Sequence, residues 1–227
     1  NQKVMMSSKY LNPNYKYSLN QKFREKRFLF FFSLLNKIDT DQPINILDIG
    51  GTEIYWQRMN FTDKKNIRIT LLNLENEPVK SMNITSIKGN ACNLSLFKDK
   101  HFDIVFSNSV IEHLFTLENQ KKMAEEAMRV GKNYYIQTPN YYFPIEPHWL
   151  FPFFQFLPVK VRVFLTKNFD LGNYKKSRNI ADAHERVMEI KLLTVNKMKK
   201  IFPNGKVYRE RFLGLVKSIT MYHFPDV

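Results

Sequence analysis

The first segment of the chain whose residue types and spacing suit ligand binding is short, with one acidic residue and two glycines. Asp48 lies near the end of an apolar run, Ile44–Ile49, and Gly50, Gly51 and Thr52 follow that run directly. Such a run is typical of a strand buried on both faces of a parallel sheet. Glycines after the strand leave bare backbone at the carboxyl edge, where open α/β folds bind ligands. The segment indicates either a ligand loop, with the acid facing loop amides or a cationic group, or a plain turn.

This loop lacks the marks of two common nucleotide sites. A dinucleotide fingerprint needs glycines at positions 50, 52 and 55, and the chain has Thr52 and Tyr55 at the last two. The phosphate-binding loop that ends in Gly-Lys-Ser/Thr is also missing from the sequence. Both absences argue against NAD and against a nucleoside triphosphate as the ligand.

Histidines and their charged neighbours are the candidates for acid–base chemistry. His148 lies in a Glu-Pro-His-Trp segment, and we predict that it contacts substrate as a base or packs inside its loop. For His113 we favour a structural role. His184 and Glu185 form a charged cluster with Arg186, which is either a solvated face or a group at a pocket mouth that pairs with an acidic substrate.

Metal binding is not predicted from the sequence. It contains no His-x-x-x-His pair and no carboxylate cluster with the spacing of metal ligands, so any Mg²⁺ or Zn²⁺ dependence would have to come from residues distant in sequence. The single cysteine, Cys92, excludes an internal disulfide framework and an all-cysteine metal site. That cysteine usage fits a cytoplasmic protein.

Bulk composition bounds the fold and the partners. The 227 residues are 44% hydrophobic, which is enough for one domain with a sizeable core. The net charge of +14 indicates an anionic partner, whether acidic substrate, nucleic acid or membrane surface, or merely the composition of an A/T-rich genome. The apolar run Phe28–Leu35 is too short to span a bilayer and too far from the start for a signal peptide. We therefore expect no membrane span.

Hydrophobic periodicity predicts alternating helices and strands up to residue 138. Apolar residues recur at helical spacing from position 19 to 38, and we expect this helix to lie against the sheet or to cover the ligand pocket. Alternation of this kind means right-handed βαβ units and a parallel sheet covered on both faces. The predicted strands are 44–49, 67–74, 84–88, 102–106 and 133–137, with helical stretches after residue 52 and over 117–130.

The last third of the chain has a different character. Residues 139–160 hold five prolines among many aromatics, which no helix or central strand accommodates as a whole. Its apolar content predicts an ordered insertion. Helical spacing returns over 192–202, with Thr194 as the expected cap and Pro203 as the stop. Two strands, 206–212 and 215–223, flank Gly214 as a predicted hairpin.

Read together, the segments after these strands resemble class I S-adenosylmethionine-dependent methyltransferases, in particular the small-molecule group related to the ubiquinone methyltransferases. Residues 46–52 are similar to the first motif of that family, and residues 89–94 are similar to its Gly-Asp-Ala segment beside the adenine. Residues 102–114 resemble its fourth-strand motif almost residue for residue. The resemblance covers about residues 44–138, and the terminal hairpin fits the antiparallel strands of the family.

The resemblance implies a fold, a cofactor and a cofactor site. The fold is α/β, a Rossmann-like doubly wound sheet of seven strands, mostly parallel with a C-terminal antiparallel hairpin. We expect one domain over 1–227, divided into an N-terminal arm and cap helix (1–42), a cofactor-binding core (43–138), a substrate-side insertion (139–190) and a final helix and hairpin (191–227). The cofactor is S-adenosylmethionine, with S-adenosylhomocysteine as the product. Its implied contacts are Asp48, Gly50, Gly51, Thr52, Asn73, Leu74, Asn90, Ala91, Cys92, Ser107, Asn108 and His113.

Three departures from the family pattern concern the cofactor. Thr52 stands where a third glycine is common, and Asn73 and Asn90 replace the usual acids. An asparagine still offers a carbonyl to a ribose hydroxyl or to the adenine amino group, but without the charge that strengthens such a bond. Weaker cofactor binding is one consequence, and restoring Asp at position 73 is then expected to hold or improve the affinity.

The sequence predicts an O-methyltransferase that acts on a small acidic or glycosylated metabolite. The insertion and the N-terminal helix are expected to enclose the acceptor, with His148 as the catalytic residue nearest the methyl group. One alternative is an RNA methyltransferase, which the basic charge and aromatic content support, although no Asn/Asp-Pro-Pro-Tyr/Phe motif follows strand four. The other is a binding protein without turnover. The oligomeric state stays open. The predicted substrate contacts are Tyr141, Tyr142, Glu146, Trp149 and Arg186.

Overall fold

The computed structural model describes residues 19–224, and the polar arm predicted for the first residues lies almost entirely outside that range. The elements in chain order are α1 Leu19–Leu35, β1 Ile44–Ile49, α2 Glu53–Arg58, β2 Ile67–Asn73, β3 Ile84–Lys88, β4 Phe102–Asn108, a 3-10 turn Ile111–His113, α3 Leu117–Val130, β5 Gly131–Pro139, β6 Ile145–Glu146, β7 Phe151–Pro152, a 3-10 turn Phe154–Phe156, α4 Val159–Asn168, α5 Ile180–Glu189, α6 Val195–Ile201, β8 Lys206–Phe212 and β9 Leu215–His223.

One seven-stranded sheet carries the site. Its strand order is β3-β2-β1-β4-β5-β9-β8, and β1 pairs in parallel with both β2 and β4. Strand β9 runs antiparallel to β5 and to β8. The predicted Rossmann-like fold, with a mostly parallel sheet and a C-terminal antiparallel hairpin, is therefore confirmed. Because the strand order reverses at β1, the loops after β1 and β4 diverge and leave a crevice between them.

Helices cover both faces of this sheet, as the alternation of elements predicts. Helix α1 packs Phe31 and Leu34 against one face, in a cluster with Phe106 of β4. Helix α3 packs Met123 and Ala127 against the other face. These helices hold the strands at fixed heights, so the loops that follow the strands have defined positions.

The insertion contains more regular structure than the sequence indicated. Strands β6 and β7 form a small antiparallel pair, and helices α4 and α5, which were not predicted, follow them. Asn179 caps α5 by accepting the Asp182 N–H at 2.8 Å. Trp149, Phe154 and Val187 form a separate hydrophobic core here. An independent core explains why the proline-rich segment is ordered.

The C-terminal elements agree with the prediction in detail. Thr194 Oγ1 accepts the Lys197 N–H at 3.2 Å and caps α6, and the two predicted hairpin strands have the observed bounds. Within residues 19–224 no helix has the length and apolar character that a bilayer crossing requires.

Candidate functional site

The glycine loop, defined here as residues 48–52, lies at the point where the strand order reverses. The Gly50 N–H donates to the Leu72 carbonyl at 2.8 Å, which ties the loop to β2. Gly50 has φ +73°, and a Cβ there would overlap the side chain of Val110. Since Val110 belongs to the segment after β4, the loops after β1 and β4 are packed against each other, and only glycine fits this contact.

Asp48 supports the glycine loop from inside the protein. Its side chain is 1% exposed, and Oδ2 accepts the indole N–H of Trp56 at 2.8 Å. A Cβ on Gly51 would overlap this carboxylate. Burial, only partly opposed by the Trp56 hydrogen bond, raises the pKa of Asp48 to about 8. The structure therefore gives Asp48 a position beneath the loop, and its direct contact with the cofactor stays a prediction.

Two side chains from neighbouring strands fix the loop backbone. Asn73 Nδ2 donates to the Gly51 carbonyl at 2.9 Å, and Ser107 Oγ donates to the Ile49 carbonyl at 3.1 Å. The amide donor of Asn73 thus has a role that an aspartate at neutral pH lacks. Asp at position 73 is therefore expected to lower the affinity for the cofactor, because it would lose the hydrogen bond to the Gly51 carbonyl.

Exposed residues mark the rim of the predicted cofactor site. Leu74, after β2, is 73% exposed, and Thr52 and Asn90 are also exposed. Asn90 Oδ1 accepts the Cys92 N–H at 2.9 Å, so the carbonyl of Asn90 already closes its own turn. Burial raises the pKa of the Cys92 thiol. The rim therefore combines apolar surface with amide groups, and this chemistry fits the adenosine part of the predicted cofactor.

The histidine pair, defined here as His113 and His148, is the most concentrated group of titratable residues around the crevice. The two Nε2 atoms lie 3.2 Å apart. His148 Nδ1 lies 2.6 Å from Glu146 Oε1, and His113 Nδ1 lies 2.8 Å from Glu189 Oε1. A continuous chain, carboxylate to imidazole to imidazole to carboxylate, therefore joins the β4 segment, the insertion and α5.

Carboxylates set the electrostatics of the histidine pair. Hydrogen bonding to Glu146, with the charges of Glu112 and Glu189, raises the pKa of His148 although burial opposes this. Glu112 is fully buried, and burial raises its pKa. Its Oε2 accepts the Thr138 hydroxyl hydrogen bond at 2.9 Å. For His113 the sequence favoured a structural role as a base candidate and the resemblance implied a cofactor contact, but its contact with His148 was not foreseen.

Glu112 and Glu189 were absent from the predicted site. Glu112 belongs to the fourth-strand motif, residues 102–114, next to His113, so the sequence contained a signal for it. Glu189 lies 76 positions after His113, on a helix that the sequence did not predict. No local pattern connects these two residues.

A cavity of about 310 Å³ lies beside the histidine pair. The start of α1, the end of β5, the insertion and the hairpin enclose it. Enclosure of the acceptor by the insertion and the N-terminal helix stays a prediction. Its walls combine aromatic and proline side chains with cations. The lining residues are Phe23, Arg24, Arg27, Ser109, Gln137, Pro139, Asn140, Phe143, Ile145, Pro147, His148, Leu150, Asn173, Glu210, Phe212, Lys217 and Ser218.

The five predicted substrate contacts do not line this cavity, whereas the predicted catalytic residue, His148, does. Trp149 is 2% exposed, and its indole N–H donates to Thr166 Oγ1 at 2.9 Å inside the insertion. Arg186 donates to Asp182 and to the Lys175 carbonyl. Glu146 is buried and binds the backbone N–H groups of His148 and Trp149. Trp149 and Glu146 therefore stabilise the interior of the insertion. Tyr141 contacts the exposed Tyr142 edge-on at the surface of the insertion.

A larger cavity, of about 870 Å³, lies at the opposite edge of the sheet. Leu35, Ile44 and Ile67 line it, at the end of α1 and the starts of β1 and β2. Open α/β sheets bind ligands at the carboxyl ends of their strands, so this cavity has no place in the site despite its size.

Comparison with known proteins identifies the family that the sheet core of this chain resembles. Residues 47–134 match the model of a methyltransferase domain family. Two curated relatives, both uncharacterised proteins of Mycobacterium tuberculosis strains, are 38% identical over 56 residues, which is 25% of this chain and 19% of each relative. The match therefore spans about a fifth of the length of those relatives.

Solved structures share the fold at low sequence identity. The CurJ carbon methyltransferase has a TM-score of 0.57 at 10% identity, with 96% of this chain and 57% of that chain covered. A SAM-dependent methyltransferase from Methanosarcina mazei has a TM-score of 0.50 at 12% identity, with 84% and 95% covered. Together with the motifs and the glycine loop at the strand-order reversal, the family match shows that residues 47–134 form a methyltransferase domain, and the solved structures share its fold.

Proposed function

We propose that this domain transfers the methyl group of S-adenosylmethionine to a hydroxyl oxygen of a small acidic acceptor. The observation that carries this proposal is the cavity beside His148, because one wall offers an imidazole while others carry the cations Arg24, Arg27 and Lys217. Both features lie at the carboxyl edge of the sheet, on the same side as the glycine loop. An acceptor here would be within reach of the methyl donor.

The charge of the cavity supports an acidic acceptor. Arg27 is paired with the buried Glu210 at 2.8 Å, whereas no carboxylate within residues 19–224 forms an ion pair with Arg24. Burial, together with the charge of Arg27, lowers the pKa of Arg24. Lys217 stands 3.7 Å from the centre of the Phe23 ring, and burial lowers its pKa to about 8. A carboxylate or phosphate on the acceptor would offset this accumulated positive charge.

The histidine pair supports a nucleophile that carries a proton. Methyl transfer from a sulfonium is an in-line displacement, and a base is needed only when the nucleophile must lose a proton. A hydroxyl meets that condition near neutral pH, and a carboxylate does not. In this proposal the facing Nε2 atoms of His148 and His113 take up the hydroxyl proton between them, and Glu146, at Nδ1 of His148, stabilises the positive charge that forms.

The remaining residues bind the cofactor and orient the acceptor. The cofactor supplies an electrophilic methyl group on its sulfonium. The glycine loop, held by Asn73 and Ser107, places backbone at the crevice for the methionine part. The exposed Leu74 provides an apolar surface for the adenosine part. The stiff, proline-rich wall of the cavity aligns the acceptor oxygen behind the methyl carbon.

The test is a turnover screen with isotope-labelled cofactor. Hydroxycarboxylates, sugar phosphates, neutral glycosides and RNA serve as the acceptor classes. We expect product with anionic small molecules, and Arg24→Met should raise their KM about tenfold with little change in kcat. A preference for neutral acceptors, or for RNA, would contradict the acidic-acceptor proposal. Failure of every class would favour a cofactor-binding protein without turnover.

His148→Ala is the second arm of this test. If His148 is the base, kcat should fall by about 10²-fold while calorimetry shows unchanged affinity for S-adenosylhomocysteine. His184→Ala is the matched control, because His184 is exposed on α5. Equal rates for both alanine variants, with a lower melting temperature only for His148→Ala, would assign His148 to packing instead.

A further inference from the structure

The two imidazoles of the histidine pair point their Nε2 atoms at each other. A carboxylate at neutral pH only accepts hydrogen bonds, so each Nδ1 that faces a glutamate carries the ring proton. In a neutral imidazole the other nitrogen is then a bare lone pair. His113 Nε2 and His148 Nε2 therefore place two lone pairs 3.2 Å apart. Lone pairs at this distance repel unless a proton or a metal cation lies between them.

The distance between the two nitrogens fits a metal ion. Zinc binds imidazole nitrogen at about 2.0–2.1 Å with tetrahedral angles, which separates two ligating nitrogens by about 3.3 Å. Metal-ligating histidines almost always give their other ring N–H to a carboxylate, which fixes the tautomer. Glu146 and Glu189 are placed for that role on His148 and His113 respectively.

Glu112 completes a set of three ligands. Its side chain is fully buried, and Oε1 has no hydrogen-bond partner among the described residues. Ligand atoms of Glu112, His113 and His148 all lie within 4.8 Å of one another. A buried carboxylate oxygen without a partner is costly, and a cation would remove that cost. Two histidines and one glutamate form a donor set that catalytic zinc sites use, with a fourth position open.

Local charge also favours a divalent ion. Three carboxylates, those of Glu112, Glu146 and Glu189, surround the two imidazoles. A divalent ion between the two imidazoles offsets more of this negative charge than a single shared proton does. Ligands of nitrogen and oxygen type suit Zn²⁺ and the neighbouring transition metals more than Mg²⁺ or Ca²⁺, which prefer oxygen.

We propose that Glu112 Oε1, His113 Nε2 and His148 Nε2 bind a divalent transition-metal ion of the zinc class, and that Glu146 and Glu189 are positioning residues which orient the two imidazoles. This site goes beyond the proposed methyl transfer, since its ligands assemble without cofactor or acceptor. When the ion binds, three coordinate bonds form, two to the facing nitrogens and one to Glu112 Oε1, and the proton that the nitrogens share leaves to solvent.

The ion would change how the acceptor is activated, and this part rests on the proposed function. In the metal-bound protein the His148 lone pair is occupied, so the imidazole no longer takes the acceptor proton. The cavity that His148 lines would then present the open coordination position to the acceptor. A hydroxyl oxygen on the ion becomes more acidic, and solvent water or hydroxide removes its proton.

Metal binding is tested without cofactor or acceptor. Protein stripped with a chelator is titrated with Zn²⁺ by calorimetry, in two buffers of different ionisation enthalpy, and with Co²⁺ by visible absorption. We expect one ion per chain, release of at least one proton per ion, and the absorption of nitrogen- and oxygen-bound tetrahedral Co²⁺. Absence of binding, or a preference for Mg²⁺ over Zn²⁺, would overturn the site.

Variants assign the ion to these residues. His113→Ala and Glu112→Gln should each weaken Zn²⁺ binding by about 100-fold. Glu189→Gln should weaken it by about 10- to 100-fold, because glutamine lacks the charge that strengthens the hydrogen bond to His113. His184→Ala, on the exposed face of α5, is the matched control and should bind normally. His113→Gln, which keeps a polar side chain, covers the case in which His113→Ala does not fold. Unchanged Zn²⁺ affinity in folded Glu112→Gln and His113→Gln would refute the assignment.

The role in activation has a separate readout. Methyl transfer is measured with chelator and then with added Zn²⁺. Full activity in chelator, alongside normal Zn²⁺ titrations, would contradict the activation role while methyl transfer itself stands. Absent turnover in both conditions would count against the proposed function, and the calorimetric result for the site would be unaffected.

Discussion

The glycine loop and the histidine pair lie at the same edge of the sheet, but their polar groups are used in different ways. At the glycine loop, the polar side chains of Asp48 and Asn73 bond to a neighbouring side chain or to the loop backbone. Asp48 bonds to Trp56, and Asn73 bonds to the Gly51 carbonyl. In the histidine pair two nitrogen lone pairs face each other, and a neighbouring buried oxygen of Glu112 has no partner among the described residues.

This difference distinguishes polar groups that stabilise the fold from polar groups that are available to a ligand. A polar group that bonds inside the protein fixes a backbone, and its loss lowers stability. Polar groups that converge without satisfying one another are costly to the fold, and they persist where a ligand, proton or ion completes them. We therefore expect substitutions in the glycine loop to act first on stability, and substitutions at the histidine pair to act first on titration, metal binding and rate.

Gly51→Ala should have the largest effect. The added Cβ would overlap the Asp48 carboxylate, and Asp48 cannot retreat because it is 1% exposed and bonded to Trp56. Overpacking costs about 1–3 kcal/mol and more where neighbours cannot move, so we expect the free energy of unfolding to fall by about 3 kcal/mol or more. Urea unfolding followed by circular dichroism measures this loss.

Gly214→Ala is the control for Gly51→Ala. Gly214 has φ +80°, and nothing lies within 4 Å of a Cβ built on it, so its substitution adds backbone strain of about 1 kcal/mol without overlap. Similar losses for both variants would mean that the Asp48 contact does not constrain the loop.

Asp48→Asn should change the pH dependence of stability. A carboxyl whose folded-state pKa is raised to about 8 contributes stability that is fully present below its unfolded pKa of about 3.9 and is lost as the pH rises through about 8. Asparagine keeps an oxygen for the Trp56 N–H and does not ionise. Between pH 5 and pH 9 the variant should therefore gain several kcal/mol relative to the parent protein.

Unfolding free energies at both pH values, without cofactor, measure this difference. Glu118→Gln serves as the control, because Glu118 is an exposed carboxylate paired with Lys122 on α3, and exposed pairs of this kind contribute little to stability. A parent and an Asp48→Asn variant with parallel pH profiles would show that Asp48 does not titrate in this range. A loss of cofactor affinity in the same variant would support the predicted contact.

Glu146→Gln tests the histidine pair through titration. Its carboxylate raises the pKa of His148, and burial opposes it, so removal of the charge should lower that pKa. The acidic limb of the pH profile of kcat/KM, and the NMR titration of the His148 ring, should both move to lower pH. Stability should fall by about 1–3 kcal/mol, because Glu146 also accepts the backbone N–H groups of His148 and Trp149.

Glu185→Gln provides the comparison, as Glu185 is an exposed carboxylate on α5. It should leave the His148 titration unchanged. If Glu146→Gln also left it unchanged, the short contact between Glu146 and His148 would not control the protonation of the ring.

The same contrast explains how much of the molecule the sequence predicted. Strands β1 to β5 and the terminal hairpin follow from local periodicity, and the glycine loop is one continuous segment whose spacing is visible in the chain. The histidine pair joins a turn after β4, the insertion and the end of α5. Its partner Glu189 lies on a helix whose short amphipathic pattern was missed, so no spacing rule could connect it to His113.

Asn73→Asp should have the smallest effect. It weakens the glycine loop but offers the cofactor a stronger hydrogen bond, so two contributions to cofactor affinity oppose each other. An aspartate cannot donate to the Gly51 carbonyl, and its charge repels that oxygen, whereas the asparagine amide bonds to it at 2.9 Å. Against this, a carboxylate makes the stronger bond to a ribose hydroxyl. Because loss of the loop bond costs about 1 kcal/mol and disorders the backbone that the cofactor contacts, we expect affinity for S-adenosylhomocysteine to fall by about threefold to tenfold.

Acid pH distinguishes the two contributions at position 73. A protonated aspartate regains an O–H donor for the Gly51 carbonyl, so the deficit in cofactor affinity of Asn73→Asp relative to the parent should shrink between pH 7 and pH 4.5. Asn73→Ala, which lacks both donor and charge, should show the same relative deficit at both pH values. Calorimetric titration with S-adenosylhomocysteine measures all three proteins. Tighter binding by Asn73→Asp at pH 7 would show that the ribose bond outweighs the loop bond, and the polar side chains of the glycine loop would then act on the ligand as directly as those of the histidine pair.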